Sequence, residues 1–371
     1  MRRNLLAAFG STPRASLREV SLACKQALQP LREYAWMCAC SGGADSLALT
    51  LAAAELATRW EIPLHAVVID HALRPQSAAE AQAAKEELAK WEVEATIVVA
   101  DRGRSENSGG IEAHARELRY RALTDFAHQW RQQTQRPVAM LLGHTMDDQA
   151  ETVLLGLAHG AGARALAGME AVSVRDDLMW VRPLLGVRRA DTSAAVKQLG
   201  ANVVEDPTNA EDGPWRQANG QPLARIAVRH RVLPALAEAL GRDPVPALAR
   251  TASHLQVDNA DLDTRARQVL EQARYQPRAD ASDAGKQAHY YRVQTLADTT
   301  TAVRRRALVQ LAQHHTNKRI HHRQIEDLEN LVINYRGQGP VWLAGATSAQ
   351  RVHKGETVLV KVVSAPATVT N

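Results

Sequence analysis

The stretch WMCACSGGADSLALTLAAAEL, residues 36–56, joins a short apolar run to an alanine- and leucine-rich run through two serines, two glycines and an aspartate. The first run is typical of a buried strand, and the second, which contains few helix breakers, is typical of a helix. Adjacent glycines can adopt backbone conformations that are closed to other residues, and they let a ligand approach the backbone. The stretch is therefore either an ordinary turn or a loop that binds phosphate.

Strand-like and helix-like segments alternate through the first half of the chain. Besides the opening pair, strand-like runs occupy residues 64–70, 93–100 and 138–143, and helix-like runs occupy residues 46–60, 77–92 and 111–130. Ser77, with Glu80 three residues later, predicts a capping box at the second of these helices. The alternation predicts an α/β fold with a parallel sheet flanked by helices.

Polar clusters follow three of the predicted strands. These clusters are SGGADS (41–46), DHALRPQS (70–77) and GHTMDDQAET (143–152). Ligands of such sheets bind beyond the carboxyl ends of the strands, where the loops gather. The three clusters are therefore expected to face one crevice.

A length of 371 residues predicts more than one domain. After about residue 180 the alternation weakens into a long irregular segment, a helix-rich stretch, a polar linker at 277–287 and short strands near the end. We place the boundary near residue 240. The prediction is an α/β domain, residues 1–240, followed by a smaller, helix-rich α+β region, residues 241–371.

The net charge of +5 is distributed unevenly. Residues 242–371 contain 18 Lys and Arg against 12 Asp and Glu, so the rest of the chain is close to neutral. Residues 301–325 contain six Lys and Arg, four His and no acidic residue. Such a run is either a solvated helical face or a surface that binds a polyanion such as nucleic acid.

Neither the hydropathy nor the cysteines indicate a membrane or secreted protein. No run of about eighteen apolar residues occurs, so no membrane span is expected, and the N-terminal segment has too short an apolar stretch for a signal peptide. The expected location is the cytoplasm. Cys24, Cys38 and Cys40 are too few for a disulfide framework, and Cys38 and Cys40 are expected to be small core residues of a strand.

The loop between the first strand and its helix has the chemistry of an anion site, although it is neither a Walker A loop nor a dinucleotide fingerprint. The N–H groups of Gly42, Gly43 and the following helix turn would form a donor-lined concavity, to which Ser41 and Ser46 add hydroxyls. A carboxylate beside phosphate repels it unless a divalent cation bridges them, so Asp45 suggests Mg²⁺. The alternative is a plain turn in which Asp45 or Ser46 caps the helix.

SGGADS resembles the SGGxDS signature of the PP-loop ATP pyrophosphatases, which bind ATP, activate a substrate by adenylation and release pyrophosphate. Within that superfamily, the remaining motifs resemble the tRNA(Ile)-lysidine synthase family and occur in its order. They are DHALRPQSAAEA (70–81), EAHARELRY (112–120), GHTMDDQAETVLLGLAHGAG (143–162), RPLL (182–185) and EDPTN (205–209). The resemblance extends over residues 36–235 and implies an adenine nucleotide alpha hydrolase-like fold. The C-terminal region resembles only loosely the basic tRNA-binding domains of the family.

The resemblance implies a ligase that forms a carbon–nitrogen bond in two ATP-dependent steps. The wobble cytidine of tRNA(Ile) with a CAU anticodon is adenylated on its C2 oxygen, and the ε-amine of L-lysine then displaces AMP to leave lysidine. The implied partners are therefore ATP, Mg²⁺, L-lysine and this tRNA. The oligomeric state stays open, with a homodimer as one alternative.

The resemblance also assigns the nucleotide-binding residues. The expected ATP-binding set is Ser41, Gly42, Gly43, Ala44, Asp45, Ser46, Asp70 and His71. Asp45 is in addition the expected metal ligand and a catalytic residue. Asp70, His71 and Arg74 follow the second strand, where contacts with adenine and ribose are expected.

Three further residues complete the expected catalytic set. Arg116 and Arg119 lie three residues apart on one predicted helix face, where guanidiniums can neutralise charge on the α-phosphate. The alternative for this pair is a solvated basic face. His144 stands at a strand end, where it is expected to contact the adenylate or accept a proton, and the alternative is a packed histidine.

An ε-ammonium is best recognised by carboxylates, which the resemblance places at Asp147, Asp148 and Glu151. Asp148 and Glu151 are three residues apart and would share a helix face. The alternative is a capping box between Thr145 and Asp148, with acids at the positive end of a helix. Contacts with tRNA are expected from Arg229, Arg304, Arg305, Arg306, Lys318 and Arg319.

The chain departs from the family pattern after EDPTN. The family places Arg-Asn a few residues later, followed by Ile-Arg, whereas here an extra stretch within residues 210–224 precedes Arg225 and Ile226. The missing Asn puts any side-chain role at that position in doubt, and the extra stretch has no assigned role.

Two other functions are alternatives. One is a tRNA thiolase of the same superfamily, which would generally need reactive or cluster-binding cysteines. The other is a nucleotide- or RNA-binding protein without catalysis, which would not explain an acid such as Asp45 beside a phosphate loop.

Overall fold

The apolar run that precedes the two glycines forms strand β1 (Ala35–Ala39). Its side chains alternate between two faces, because Trp36 and Cys38 belong to one hydrophobic cluster and Ala35 and Met37 belong to another. All four side chains are fully buried. This is the pattern of an interior strand that helices cover on both faces.

The computed structural model describes residues 3–10, 13, 15–70, 72, 76–100, 111–159, 162–217, 219–276, 287–316, 318 and 320–364. The chain divides into two units, Met1–Leu255 and Gln256–Asn371. The division falls inside one helix, Val245–Ala273, and so lies beyond the boundary predicted near residue 240. The assignment of tRNA binding to the second part stays a prediction.

The first unit is built on a sheet. The further strands are β2 (Leu64–Asp70), β3 (Ala95–Val99), β4 (Val138–Leu142), β5 (Val172–Arg175) and β6 (Leu178–Val181). Within the described residues they form one six-stranded sheet in the order β3-β2-β1-β4-β6-β5. All neighbouring pairs are parallel except β5 with β6. The predicted parallel sheet flanked by helices is confirmed, and the chain order reverses at β1, where a ligand crevice is expected.

The described helices up to residue 273 precede, connect or follow these strands along the chain, and the last of them continues into the second unit. They are α1 (Leu5–Phe9), α2 (Ala15–Leu28), α3 (Ala44–Trp60), α4 (Ser77–Lys90), α5 (Ile111–Thr134), α6 (Met146–Ala158), α7 (Ala163–Leu166), α8 (Arg189–Leu199), α9 (Ala224–Ala227), α10 (Leu233–Leu240) and α11 (Val245–Ala273). A π-helical turn, Val228–Val232, links α9 to α10. The three helices predicted from periodicity correspond to α3, α4 and α5.

The capping box predicted at Ser77 is wrong. The residue that caps α4 is Gln76, which makes no side-chain capping hydrogen bond. Ser77 is the first helical residue, and its hydroxyl donates to Asp70 Oδ1 at 2.6 Å. The serine therefore ties the helix to the end of β2.

The second unit has its own core and an antiparallel sheet. Its strands are β7 (Arg274–Tyr275), β8 (Gln287–Arg292), β9 (Val341–Trp342), β10 (Ser348–Lys354) and β11 (Thr357–Ser364), and its helices after α11 are α12 (Val293–Ala297), α13 (Thr301–Thr316) and α14 (His322–Ile333). The strand order is β7-β8-β11-β10-β9. This arrangement confirms the predicted smaller α+β region. In the described parts of both units, no helix is both long and apolar enough to cross a membrane.

Candidate active site

A cleft of about 690 Å³ opens at the carboxyl ends of β1 and β4. The loop after β1, the start of α5, the end of β4 and the first residue of α8 all contribute to its wall. Residues 203–206 and Arg225 line it from later in the chain. The loops that follow the first and fourth predicted strands thus meet at one crevice.

Gly42 has a backbone conformation that only glycine adopts readily, with φ of 82°. A Cβ atom at this position would lie 2.8 Å from both Ala84 Cβ and Val204 Cγ2. The Gly42 carbonyl in turn accepts a hydrogen bond from the Val204 N–H at 3.0 Å. Glycine is required here because neighbouring segments pack directly against the loop.

Helix α3 begins without a side-chain cap, since its N-cap residue is Gly43. Ser46 Oγ instead folds back inside the loop, where it accepts from the Ser41 N–H at 3.1 Å and donates to the Gly43 carbonyl at 3.0 Å. The alternative in which Asp45 or Ser46 caps the helix is therefore not what the structure shows. Uncapped N–H groups at the positive end of a helix, as at Ala44, suit an anion.

Asp45 is held by two residues that sequence reasoning did not single out. The Thr192 hydroxyl donates to Asp45 Oδ1, and Arg189 Nε donates to Asp45 Oδ2 at 3.3 Å. Burial raises the pKa of Asp45, and the contacts with Thr192 and Arg189 partly offset that rise. Among the described residues no group of three or more His, Cys, Asp or Glu forms a metal site. The donor set of one carboxylate and neighbouring hydroxyls suits Mg²⁺, which typically combines one or two carboxylates with substrate phosphates.

Asp148 and Glu151 share one face of α6, as their spacing predicted. Asp148 Oδ2 accepts from the Thr145 N–H at 2.8 Å and from the Thr145 hydroxyl at 2.9 Å, so the capping box is present as well. Glu151 has no exposed surface. The capping role of Asp148 leaves its other oxygen, Oδ1, free to face arginines.

Two arginines saturate these carboxylates. Arg189 Nη2 lies 2.8 Å from Asp148 Oδ1, and its Nη1 lies 3.1 Å from Glu151 Oε1. Arg229 Nε lies 2.7 Å from Glu151 Oε1, and its Nη2 lies 3.1 Å from Glu151 Oε2. Arg225 Nε lies farther away, 3.8 Å from Glu151 Oε2. Burial alone raises the pKa of Asp148, but Arg189 and the other charged neighbours outweigh it and hold that pKa below its usual value.

Asp147 has a different environment from its neighbour. Its Oδ1 accepts from Arg188 Nη2 at 3.0 Å, and its Oδ2 accepts from the Arg189 backbone N–H at 2.8 Å. Burial raises the pKa of Asp147, but these hydrogen bonds outweigh it and lower the pKa below its usual value. Asp147 therefore anchors the start of α8, and its predicted contact with lysine stays a prediction.

Arg116, Arg119 and His144 all line the cleft. Both guanidiniums lie over the ring of Tyr120, at 5.1 and 5.7 Å from its centroid, which confirms that they share a helix face. Burial lowers the pKa of His144 to about 3; the carboxylate of Asp148 opposes this shift, whereas the guanidiniums of Arg119, Arg182 and Arg116 add to it. The imidazole is therefore neutral. Its Nδ1 is buried and has no hydrogen-bond partner in the part of the chain that the structure describes.

Asp70 ends β2 and is buried. Its Oδ1 accepts from the Ala72 N–H at 2.8 Å and from the Ser77 hydroxyl, which orders the turn into α4. His71 and Arg74, also expected near adenine and ribose, lie outside the described residues, and so does Arg319. Their predicted roles stay predictions.

The arginines predicted to bind tRNA differ in accessibility. Arg229 lies in the cleft, whereas Arg304 is buried, with its Nε 3.0 Å from Glu329 Oε1. Arg306 donates to Asn259 Oδ1 at 2.7 Å and is mostly buried. Arg304 and Arg306 thus stabilise the second unit, while Arg305 and Lys318 are exposed and better placed to meet RNA. RNA contact stays a prediction for these four described residues of the second unit, as it does for Arg319.

Arg189 is the functional candidate that sequence reasoning missed. It is the first residue of α8, where a positive side chain opposes the helix dipole. This unfavourable position is the signal in the sequence that could have pointed to Arg189, because residues that break a local structural rule often belong to a functional site. The extra stretch after EDPTN also contributes to the cleft, through Trp215 and Leu223.

Comparison with known proteins agrees with this geometry. The family model of the PP-loop domain matches residues 17–236. The fold and the loop together define a PP-loop protein that uses ATP. The tRNA(Ile)-lysidine synthase of Rhodococcus erythropolis is 40% identical over 338 residues, which cover 91% of this chain and 91% of that protein. The enzyme of the same name from Mycolicibacterium paratuberculosis is 41% identical over 320 residues, 86% of this chain and 87% of that protein.

This chain belongs to the tRNA(Ile)-lysidine synthase family. A solved structure of a U34-tRNA thiolase from Methanococcus maripaludis is 16% identical, covers 65% of this chain and 79% of that chain, and has a TM-score of 0.49. That likeness carries no argument about function. The names of the curated relatives do not favour the thiolase alternative.

Proposed function

We propose that this protein ligates L-lysine to C2 of the wobble cytidine of tRNA(Ile) with a CAU anticodon, with release of AMP and pyrophosphate. The observation that carries the proposal is that one cleft joins a PP-loop to the carboxylate of Asp148, which shares Arg189 with the fully buried Glu151 behind it. The loop suits a triphosphate and the carboxylates suit an ammonium. ATP and L-lysine would therefore bind at neighbouring places.

In the first step the cytidine C2 oxygen attacks the α-phosphorus of ATP, and pyrophosphate leaves. The N–H groups of the PP-loop and the hydroxyls of Ser41 and Ser46 bind the leaving pyrophosphate. Arg116 and Arg119, which line the same cleft, neutralise charge that builds on the α-phosphate. Asp45 would hold Mg²⁺, which when bound supplies charge neutralisation between the phosphates.

In the second step the lysine ε-nitrogen attacks C2, the bond to the adenylate oxygen breaks, and AMP leaves. Asp148 and Glu151 bind and orient the ε-ammonium. That ammonium must lose a proton before it attacks, and the neutral His144 has a free ring nitrogen in the same cleft. Bound phosphate would raise the pKa of His144 toward its ordinary value, because a negative charge favours the imidazolium.

We assign tRNA binding to the second unit, because the basic excess of the chain lies in residues 242–371, and we keep Arg229, which lines the cleft, as a further contact. Phosphate contacts by lysines and arginines supply most of the affinity of such surfaces. The reaction is placed in the cytoplasm, where its tRNA substrate is found.

Buried cysteines argue against sulfur transfer. Cys24, Cys38 and Cys40 are all buried free thiols. Burial raises the pKa of Cys24 to about 12 and raises that of Cys38 and Cys40 as well. Because a thiolate is the reactive form, these cysteines are poor sulfur carriers.

The test is incorporation of labelled lysine into an unmodified tRNA(Ile) transcript with the CAU anticodon. The expected result is ATP-dependent incorporation, with one pyrophosphate released for each lysine attached. A transcript in which the wobble cytidine is replaced by uridine is the matched control and should accept no lysine. Pyrophosphate release that needs no tRNA, or lysine that never enters the RNA, would refute the proposal.

A further inference from the structure

Arg189 physically connects the PP-loop to the pair of carboxylates. Each of its three guanidinium nitrogens contacts a different carboxylate: Asp45 at 3.3 Å, Asp148 at 2.8 Å and Glu151 at 3.1 Å. One side chain therefore occupies both the edge of the phosphate site and the place where an ammonium would bind.

We propose that Arg189 is a positioning residue that keeps the lysine site closed until nucleotide phosphate is bound. In the free protein its guanidinium takes the place of the lysine ammonium between Asp148 and Glu151. When phosphates occupy the PP-loop, the guanidinium turns to them and releases both carboxylates. This inference rests on the proposed function and specifies the order in which the two small substrates bind.

Charge balance supports the exclusion of lysine from the free site. Three carboxylates, Asp45, Asp148 and Glu151, face three guanidiniums, those of Arg189, Arg225 and Arg229. An incoming ammonium would add an unbalanced positive charge in a place with little access to water. It would also need oxygen atoms that are already engaged, so one guanidinium has to leave.

Of the three guanidiniums, Arg189 lies between Asp148 and Glu151 and also contacts Asp45 of the PP-loop, whereas Arg225 approaches Glu151 only to 3.8 Å, so we take Arg189 as the one that leaves. Arg229 contacts both oxygens of Glu151, at 2.7 and 3.1 Å, which is a bidentate pair. Arg189 contacts Glu151 through a single nitrogen. The backbone of Arg189 is fixed by its N–H bond to Asp147, but its side chain is 26% exposed to the cleft. The side chain can therefore rotate while α8 stays in place.

The phosphate site offers the guanidinium an alternative partner. Arg189 and the PP-loop residues Ser41, Gly43 and Asp45 line the same cleft. Guanidiniums bind phosphate oxygens in the same bidentate way as carboxylates, and ATP carries more negative charge than Asp45 does. Bound nucleotide would therefore stabilise the position in which Arg189 faces the phosphates more than the position in which it faces the carboxylates.

The experiment measures L-lysine binding to the full chain by calorimetry, alone and with magnesium and α,β-methylene-ATP. In the wild-type protein the nucleotide analogue should tighten lysine binding by about tenfold or more, within the usual range of coupling between sites. Arg189→Gln should bind lysine without nucleotide about as tightly as the wild type does with it. Lys197→Gln, which removes an exposed charge from the same helix, should behave like the wild type.

Arg189→Lys keeps a positive charge at this position and so tests whether that charge closes the lysine site. Its own ammonium can stay between the carboxylates, so lysine should bind this variant weakly when nucleotide is absent. If Arg189→Gln does not fold, as judged by thermal melting, the wild-type arms and Arg189→Lys decide the matter.

Two outcomes would overturn the inference, and they are distinguishable. If the wild type binds lysine equally well with and without the analogue, or if Arg189→Lys binds it tightly without nucleotide, Arg189 does not close the site, while the proposed function stands. If the analogue binds but lysine binds in no arm, the lysine site itself is refuted, and the proposed function fails with it.

Discussion

Replacing Glu151 by Gln should impair the use of lysine far more than adenylation. The Glu151 carboxylate is fully buried and accepts hydrogen bonds from Arg229 at 2.7 and 3.1 Å and from Arg189 at 3.1 Å. Glutamine keeps the size and one carbonyl oxygen. It removes the negative charge, however, and turns one acceptor into a donor that faces a guanidinium.

The size of the effect follows from these contacts. A hydrogen bond that involves charged groups contributes about 1.5–3 kcal/mol, and a factor of ten in affinity corresponds to about 1.4 kcal/mol. Loss of one such bond to the lysine ammonium should therefore raise the KM for lysine by about 10- to 100-fold. The free energy of unfolding should also fall, by about 1–3 kcal/mol, because the amide leaves part of the hydrogen bonding of Arg189 and Arg229 unmet at a buried position.

The assay compares the two half-reactions. Single-turnover pyrophosphate release with tRNA, but without lysine, reports adenylation, and labelled-lysine incorporation at varied lysine concentration reports the second step. Glu19→Gln, which removes an exposed carboxylate of α2, is the control and should leave both unchanged. Equal loss of both half-reactions in Glu151→Gln would refute its role in lysine binding.

Three further outcomes are expected. Gly42→Ala should abolish ATP binding in equilibrium titrations, because its Cβ would lie 2.8 Å from Ala84 and Val204, whereas Gly241→Ala, also at positive φ but with open space around it, should retain ATP binding. His144 should show no titration by NMR between pH 7 and pH 5. The pKa of His144 in the folded protein, about 3, lies below its ordinary value, so on acidification the unfolded chain protonates this histidine before the folded protein does. The free energy of unfolding of the wild type should therefore fall more steeply than that of His144→Asn as the pH drops below about 6.5. Arg305→Gln should weaken tRNA binding and reduce the slope of its salt dependence by about one. Arg304→Gln should mainly lower the melting temperature, because Arg304 is buried against Glu329. Equal effects of the two variants on the slope would contradict this division.

The sheet and the phosphate loop were predictable from the sequence because both depend on local patterns. The run at residues 36–40 is apolar on both faces, and the two glycines follow it after a single serine. Asp148 and Glu151 could be paired for the same reason, since three residues separate them on one helix. Local periodicity also located α3, α4 and α5 to within a few residues.

The arginines of the site could not be placed in this way. Arg189 meets Asp45 across 144 positions of the chain, and Arg229 meets Glu151 across 78. Such pairs depend on how the helices pack, which no short window of sequence records. The predicted capping box at Ser77 failed for a related reason, because Asp70 at the end of another element competes for the serine hydroxyl.

Gly143 has a consequence for how the site moves. A Cβ there would lie 2.9 Å from both the amide nitrogen and the Cα atom of Ser46, so the loop after β4 touches the start of α3 backbone to backbone. No side chain cushions this contact, and the strands that carry the two loops, β1 and β4, are direct neighbours in the sheet. The phosphate-binding loop and His144 are thus mechanically coupled. We expect thermal motion to displace the loop and His144 together, so that the arginine side chains are the groups that move relative to them.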